Sequence, residues 1–116
     1  MADKMVMAVD VGTGSARAGL FDLAGRMRAR AARPIAMHQP QPDHAEQDSE
    51  DIWQAVCAAA QEARAEAGLP PDAVAGISFD ATCSLVVLDQ DDRPASVSTT
   101  ARSPRPRNAP PPATRC

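Results

Sequence analysis

The sequence predicts one small α/β domain whose elements run in the order βββαβ, followed by further strand. Three observations support this. Short apolar or alternating runs joined by turns fill residues 5–37, and a single long stripe of apolar residues at helical spacing follows Asp48. More apolar runs then come after the Pro70-Pro71 pair. The chain has 116 residues, which is near the usual size of one domain.

The first three strands are predicted from short runs separated by turn residues. An apolar run that ends at Asp10 reads as a buried strand, and Gly12 and Gly14 follow it as a tight turn. Partial alternation then predicts two more strands in an antiparallel meander, over residues 17–23 and 27–37. The segment 38–47 contains Pro40 and Pro42 and is predicted to be a loop. Its two histidines are expected to be solvated rather than metal ligands.

A helix is predicted to begin at Asp48, because a capping residue is followed by acids near the positive end of the helix dipole. Gly68 and the proline pair after it end the helix. Its apolar stripe includes Trp53, expected to be the large anchor of the core, and Cys57, expected to be a small buried side chain. The other residues of the stripe are Ile52, Val56, Ala59, Ala60, Ala63 and Ala67.

Three further apolar runs follow the helix and predict strands over residues 74–79, 84–89 and 95–98. The polar residues 90–93 between the last two runs are predicted to form a turn, and Asp91-Asp92 is assigned to that turn rather than to a metal site. Cys83 precedes the second run, and packing is favoured there over a nucleophilic role.

Composition excludes several classes of protein. Aromatic residues make up 3% of the chain, so the core must be aliphatic, and no apolar run is long enough to span a membrane. The start lacks a secretory signal, and three scattered cysteines fit neither a disulfide scaffold nor a zinc site. We therefore expect a soluble cytoplasmic protein with no membrane partner.

Charge and proline divide the chain at residue 100. Residues 1–100 carry a net charge of −7, which argues against nucleic acid as a partner, whereas residues 101–116 carry +4 and five of the 11 prolines. The tail has no large aliphatic residue and is expected to be disordered. Three interpretations are open for it: a flexible terminus, a product of a change in reading frame near Thr100, or a proline-rich ligand for an SH3-like groove.

The first turn carries the clearest chemistry. A phosphate cradle needs backbone N–H groups aimed at the anion, and Gly12 and Gly14 would let the chain approach closely. The hydroxyls of Thr13 and Ser15 add donors, and Arg17 lies near enough in sequence to neutralise phosphate charge. The dinucleotide fingerprint and the P-loop are both absent. On the residues alone, phosphate binding and an ordinary glycine-rich turn remain equal alternatives.

Three separated motifs in one order resemble the FGGY carbohydrate kinases. The first is Asp10-x-Gly-Thr-x-Ser-x-Arg17, followed by AGLFD and Gly25. The second, EQDSEDIW over 46–53, is similar to the acidic lead-in to the family's first helix. The third, GISFDATCSLVVLD over 76–89, resembles the sugar-side segment of the ribulokinase-like (pentulose kinase) subgroup. The resemblance implies a ribonuclease H-like fold of the actin/sugar-kinase/Hsp70 superfamily, present here as an incomplete amino-terminal domain over residues 1–100.

The resemblance also implies ATP-dependent phosphoryl transfer to a ketopentose such as ribulose, or to a related polyol. Asp10 would hold Mg²⁺ through water, and Asp80, Ala81 and Thr82 would line the sugar pocket. Oligomers are expected only of full-length relatives. The residues implied to line the β- and γ-phosphates of ATP are Gly12, Thr13, Gly14, Ser15 and Arg17.

No catalytic base is assigned within this chain, because the resemblance places that aspartate beyond the residues it covers. We therefore expect a truncated kinase that is inactive alone. Two alternatives stay open: a non-catalytic binding module that docks a protein partner, and a vestigial, mostly unfolded translation product with exposed sheet edges.

Overall fold

A computed structural model of the chain describes residues 4–42, 44–82, 85–95 and 98–99. The tail 101–116 and Cys83 lie outside these residues, so the predictions made for them remain predictions. The expected order of three strands, a helix and a strand is confirmed, with additional short strands. The elements are β1 (Met5–Val11), β2 (Ser15–Asp22), β3 (Met27–Pro34), β4 (His38–Gln41), β5 (His44–Gln47), α1 (Ser49–Glu66), β6 (Val74–Ala81) and β7 (Ser98–Thr99).

The main sheet has the strand order β3-β2-β1-β6. β1 is antiparallel to β2 and parallel to β6, since the connection to β6 passes through α1. β1 alternates strictly: Met5, Met7 and Val9 are buried on the helix side, while the residues between them are exposed on the other side. The open face of the sheet therefore presents the side chain of Asp10 at the carboxyl end of β1.

Helix α1 packs its small residues against β2 and β3. Ala59 and Ala63 are fully buried in the core with Leu20, because side chains this small let the helix lie close to the sheet. The predicted start is confirmed, as the Asp48 side chain accepts the N–H of Glu50 at 2.9 Å. No helix in the described ranges is long and apolar enough to cross a lipid bilayer.

The segment 38–47 was expected to be a loop, and that prediction is wrong. It forms a hairpin in which β4 pairs with β5, and β5 pairs in turn with β7. Pro40 is tolerated because β4 is an edge strand of this small sheet, and the N–H and C=O groups on its outer side need no partner strand. His38 is exposed as expected, but it lies on a strand.

One core assignment is also corrected. Trp53 is 45% exposed on the side of α1, so the aliphatic residues Leu20 and Val9 are the largest fully buried side chains instead. Cys57 is buried as expected, and it is disulfide-bonded.

The strand expected over 84–89 does not form within its described residues, 85–89. Residues 85–88 are exposed and make a single bridge, between Leu88 and Pro94. The predicted turn at 90–93 is confirmed by the bonds of Asp89.

Candidate phosphate-binding site

The turn between β1 and β2 is closed by one backbone bond, from the Gly12 N–H to the Ser15 carbonyl at 2.9 Å. A Cβ at Gly12 would lie 2.9 Å from Nη2 of Arg17, so any side chain there would displace the guanidinium from its position beside the turn. A Cβ at Gly14 would meet nothing within 4 Å, which leaves open space beside the backbone. We call residues Gly12–Ser15 the phosphate loop.

The carbonyls of the phosphate loop are held from one side. Nε2 of Gln47 donates to the Thr13 carbonyl at 2.6 Å, and the N–H of Ile35 donates to the Gly14 carbonyl at 3.0 Å. The N–H groups of Thr13 and Gly14 meet no acceptor in the described part of the chain. Unpaired main-chain N–H groups at a turn are the donors that a phosphate takes.

Three charged residues form one row across the neighbouring strands β2, β1 and β6. In the sheet register Arg17 pairs with Asp10, and Asp10 pairs with Asp80. Nη2 of Arg17 lies 2.8 Å from Oδ2 of Asp10, with both side chains about half exposed, at 48% and 53%. A groove of about 330 Å³ opens beside this row and is lined in part by Asp10, Arg17 and Arg30.

The half-exposed ion pair contributes little to stability, since such pairs are worth about 0–1 kcal/mol. Arg17 is therefore held near the phosphate loop without being committed to Asp10. A phosphate that offers a charge-assisted bond competes on equal terms for the guanidinium. The arrangement can exchange one carboxylate partner of Arg17 for an incoming anion.

The segment expected to line the sugar pocket lies directly beside the phosphate loop. Val11 pairs with Ala81, and the N–H of Thr82 donates to the Val11 carbonyl at 3.3 Å. These residues meet because β1 and β6 are parallel, so their carboxyl ends share one edge, where ligands of open α/β sheets bind. The structure thus brings together every predicted site residue; the separate role of each remains a prediction.

The residues at this edge suit a hydrated magnesium ion better than a dehydrated metal. No cluster of three or more His, Cys, Asp or Glu side chains able to hold a metal occurs in the described ranges. Asp10 supplies one carboxylate at this edge, and Asp80, beside it in register, is the residue predicted to line the sugar. Mg²⁺ keeps several waters and commonly takes one or two protein carboxylates together with substrate phosphates, so Asp10 fits it.

Sequence reasoning missed the two residues that hold the phosphate loop. Gln47 is 7% exposed and Ile35 is 5% exposed, and neither belongs to the glycine-rich motif. Gln47 lies 34 positions from Thr13, so no local spacing connects them. The signals that the sequence offers for Gln47 are its place directly before the helix cap and its membership of the EQDSEDIW motif.

Comparison with known proteins identifies the family. The model of the FGGY family of carbohydrate kinases, N-terminal domain, matches residues 5–108 of this chain. The chain belongs to the FGGY family of carbohydrate kinases. The resemblance carried by the three motifs is thereby confirmed, and so is the sugar-kinase fold, through the solved structures that match the chain.

Relatives of this FGGY chain include several carbohydrate kinases. It is 47% identical to an FGGY carbohydrate kinase domain-containing protein of Danio rerio, over 79% of this chain and 16% of that protein. It is 47% identical to a D-ribulokinase of Saccharomyces cerevisiae, over 73% of this chain and 12% of that protein. The crystal structure of xylulose kinase from Rhodospirillum rubrum superposes with a TM-score of 0.75 and 28% identity, over 82% of this chain and 20% of that one. The FGGY chain thus spans a fifth or less of the length of each relative.

Proposed function

We propose that this chain is the phosphate-binding amino-terminal part of an ATP-dependent carbohydrate kinase that acts with Mg²⁺. Its substrate is a ketopentose such as ribulose, or a related polyol. One observation carries the proposal: a loop with unpaired N–H groups lies beside the row Arg17–Asp10–Asp80. The D-ribulokinase and xylulose kinase among its relatives support a ketopentose.

In this proposal the phosphate loop binds the terminal phosphates through the N–H groups of Thr13 and Gly14. Arg17 turns from Asp10 to the phosphate oxygens, and Asp10 then faces the metal through water. Asp80, Ala81 and Thr82 lie along the sugar. Phosphoryl transfer depends mostly on positioning and charge neutralisation, which these groups supply.

We further propose that the 116-residue chain binds phosphate without transferring it. No residue of this chain is assigned the role of accepting the proton of the sugar hydroxyl. Ile77 and Phe79 on β6 are each more than half exposed, as are Leu85 and Leu88 after it. Apolar surface of this kind is typical of a face that another part of a protein covers.

The test is a titration of the ¹⁵N-labelled chain with ADP in the presence and absence of Mg²⁺, followed by NMR. We expect the amide signals of Thr13 and Gly14 to shift with ADP, and binding to strengthen with Mg²⁺. Arg17→Met should weaken binding about tenfold, because a charge-assisted bond between partly exposed groups contributes about 1.5 kcal/mol. Asp10→Asn should remove the effect of Mg²⁺.

The matched control is Asp91→Asn, which removes a carboxylate from the distant turn at 90–93. It should bind ADP as the unaltered chain does, with the same Mg²⁺ dependence. Unshifted loop amides at millimolar ADP, or an Asp10→Asn variant that keeps the full response to Mg²⁺, would contradict the proposal. Adding ribulose and ATP to the chain should give no sugar phosphate.

A further inference from the structure

Gln47 is a buried contact of the phosphate loop, and it lies within the EQDSEDIW motif, to which the sequence assigned no contact with that loop. Its side chain is 7% exposed, yet it reaches across from the end of β5 to the Thr13 carbonyl, 2.6 Å away. Thr13 is exposed as a residue, while the bond that its carbonyl accepts from Gln47 is part-buried. The bond gives the buried Gln47 amide an acceptor and at the same time fixes the direction of the Thr13 carbonyl.

The direction of the Thr13 carbonyl determines the direction of the next N–H. The peptide unit between Thr13 and Gly14 is planar and trans, so the Gly14 N–H points opposite to the Thr13 carbonyl. Since Gln47 holds that carbonyl toward β5, the Gly14 N–H is turned away from β5, where it meets no acceptor in the described residues. One buried amide thus sets the orientation of a phosphate donor.

The scaffold behind Gln47 is rigid on both sides. Asp48, the next residue, caps α1, and Oδ2 of Asp51 in the first turn of α1 accepts the N–H of Ala36 at 3.0 Å. That contact fixes the segment whose Ile35 holds the Gly14 carbonyl. The phosphate loop is thus held by three bonded segments: the end of β5, the segment that follows β3, and the first turn of α1.

We infer that Gln47 is a positioning residue, which aims the Gly14 N–H of the phosphate loop at the bound phosphate. The inference rests on the proposed function for the identity of the anion, but the orientation of the loop is measurable without it. Gln47 acts through Thr13 and Gly14 and does not itself touch the phosphate.

The experiment combines Gln47→Ala with a matched control, Gln54→Ala. Gln54 is also a bonded glutamine, but its amide donates to Glu50 on the exposed surface of α1. We expect amide hydrogen exchange at Gly12 and Ile35, which close the loop, to accelerate up to about tenfold in Gln47→Ala, as loss of one hydrogen bond allows. The ¹⁵N relaxation of Thr13 and Gly14 should report faster internal motion. Gln54→Ala should change neither.

Amides at the strand centres separate loosening of the loop from loss of the fold. Exchange at Ala8 and Leu20 should be unchanged in Gln47→Ala if the effect is local. Should that variant fail to fold, Gln47→Glu tests the same hydrogen bond through the pH dependence of loop protection. Its charged carboxylate cannot donate to the Thr13 carbonyl, whereas the protonated acid can, so loop protection should recover as the pH is lowered.

Titration with inorganic pyrophosphate then separates the two proposals. If pyrophosphate binds and Gln47→Ala weakens it, both the function and the positioning role are supported. If pyrophosphate does not bind but the loop loosens in Gln47→Ala, the proposed function fails while the positioning role stands. If loop exchange and relaxation stay unchanged, or change equally in Gln54→Ala, the positioning role is overturned.

Discussion

The two ends of β2 carry turns that treat their backbone donors in opposite ways. Before β2, the phosphate loop has its carbonyls held by Gln47 and Ile35, and its N–H groups at Thr13 and Gly14 are unpaired within the described chain. After β2, the side chain of Asp22 accepts the N–H groups of its own turn. In the second turn the carboxylate of Asp22 is the anion that accepts the N–H groups. In the phosphate loop, the N–H groups of Thr13 and Gly14 have no such acceptor among the described residues.

The Asp22 turn shows what such donors do to a negative charge. Oδ1 of Asp22 accepts the N–H groups of Ala24 and Arg26, each at 3.0 Å, and Oδ2 accepts Nε of Arg26 at 2.8 Å. The backbone N–H of Arg26 is the main cause that holds the pKa of Asp22 below its ordinary value, against the opposing effect of desolvation. Main-chain N–H groups of a turn in this fold therefore stabilise an anion, which supports the same role for the phosphate loop.

The largest expected difference between the two turns concerns their glycines. Gly25 has φ +82°, whereas Gly14 is not among the described residues with positive φ. Gly25→Ala should lower the free energy of unfolding by about 1–2 kcal/mol, since a side chain is strained in the left-handed region. Gly14→Ala, the matched control, should change it by less than about 0.5 kcal/mol, because a Cβ there meets nothing within 4 Å.

Urea unfolding followed by circular dichroism measures both glycine variants under one set of conditions. If both variants lost the same free energy of unfolding, the left-handed conformation of Gly25 would not be what distinguishes the two turns. A larger loss at Gly14 would mean that the phosphate loop is tighter than its open surroundings indicate.

A smaller effect is expected from acid, and it tests the charge in the Asp22 turn. Because the folded-state pKa of Asp22 is lowered, its contribution is present above the unfolded value of about 3.9 and is lost as pH falls through the folded value. Asp22→Asn should lower Tm at pH 7 and should flatten the fall of Tm below pH 4. Thermal melts from pH 7 to pH 2 measure this change.

The control for the acid effect is Asp91→Asn, whose carboxylate makes no bond within the described chain. It should follow the unaltered chain at every pH. An Asp22→Asn variant with the same acid slope as the unaltered chain would show that the turn does not stabilise the charge of Asp22. The pKa of Asp89 is also lowered, chiefly by the backbone N–H groups of Arg93 and Asp91, but its turn lies outside the main sheet, so it should add little to the slope of Tm.

Local signals account for what could be predicted from sequence. The first strand, the helix from its cap at Asp48 and the turn at Gly12 are encoded by neighbouring residues, and they are found where expected. The motif from Asp10 to Arg17 also located the candidate site, because its residues are close in the chain.

What could not be predicted depends on distant contacts. The β4–β5 hairpin was hidden because Pro40 and Pro42 indicate a loop, while the pairing that makes it a sheet comes from β7, some 50 residues later. Trp53 was wrongly expected in the core because the apolar stripe of α1 is broad. Small residues, not one large side chain, fill the interface between α1 and the sheet. Gln47 was missed because its partner, Thr13, lies 34 residues away.

A third turn, at Asp89, repeats the Asp22 turn almost bond for bond and gives the sharpest comparison. Oδ1 of Asp89 accepts the N–H groups of Asp91 and Arg93, at 2.8 and 3.0 Å. The left-handed position, held by Gly25 in the earlier turn, is held here by Asp92 with φ 56°. Asp92→Gly should relieve that strain and slow amide exchange at Asp91 and Arg93 by about threefold, or some 0.6 kcal/mol.

The same substitution should leave global unfolding unchanged within about 0.3 kcal/mol, because this turn joins segments that make one bridge, Leu88–Pro94, and lie outside the main sheet. The Asp22 turn, in contrast, joins two strands of that sheet. The two turns have the same main-chain hydrogen bonds, but a substitution would change global stability only in the Asp22 turn. The reason is that the segments on either side of Asp22 are strands of the main sheet, whereas those on either side of Asp89 are not. A gain in global stability from Asp92→Gly as large as the loss from Gly25→Ala would contradict this, since it would mean that residues 85–95 fold as one unit with the sheet.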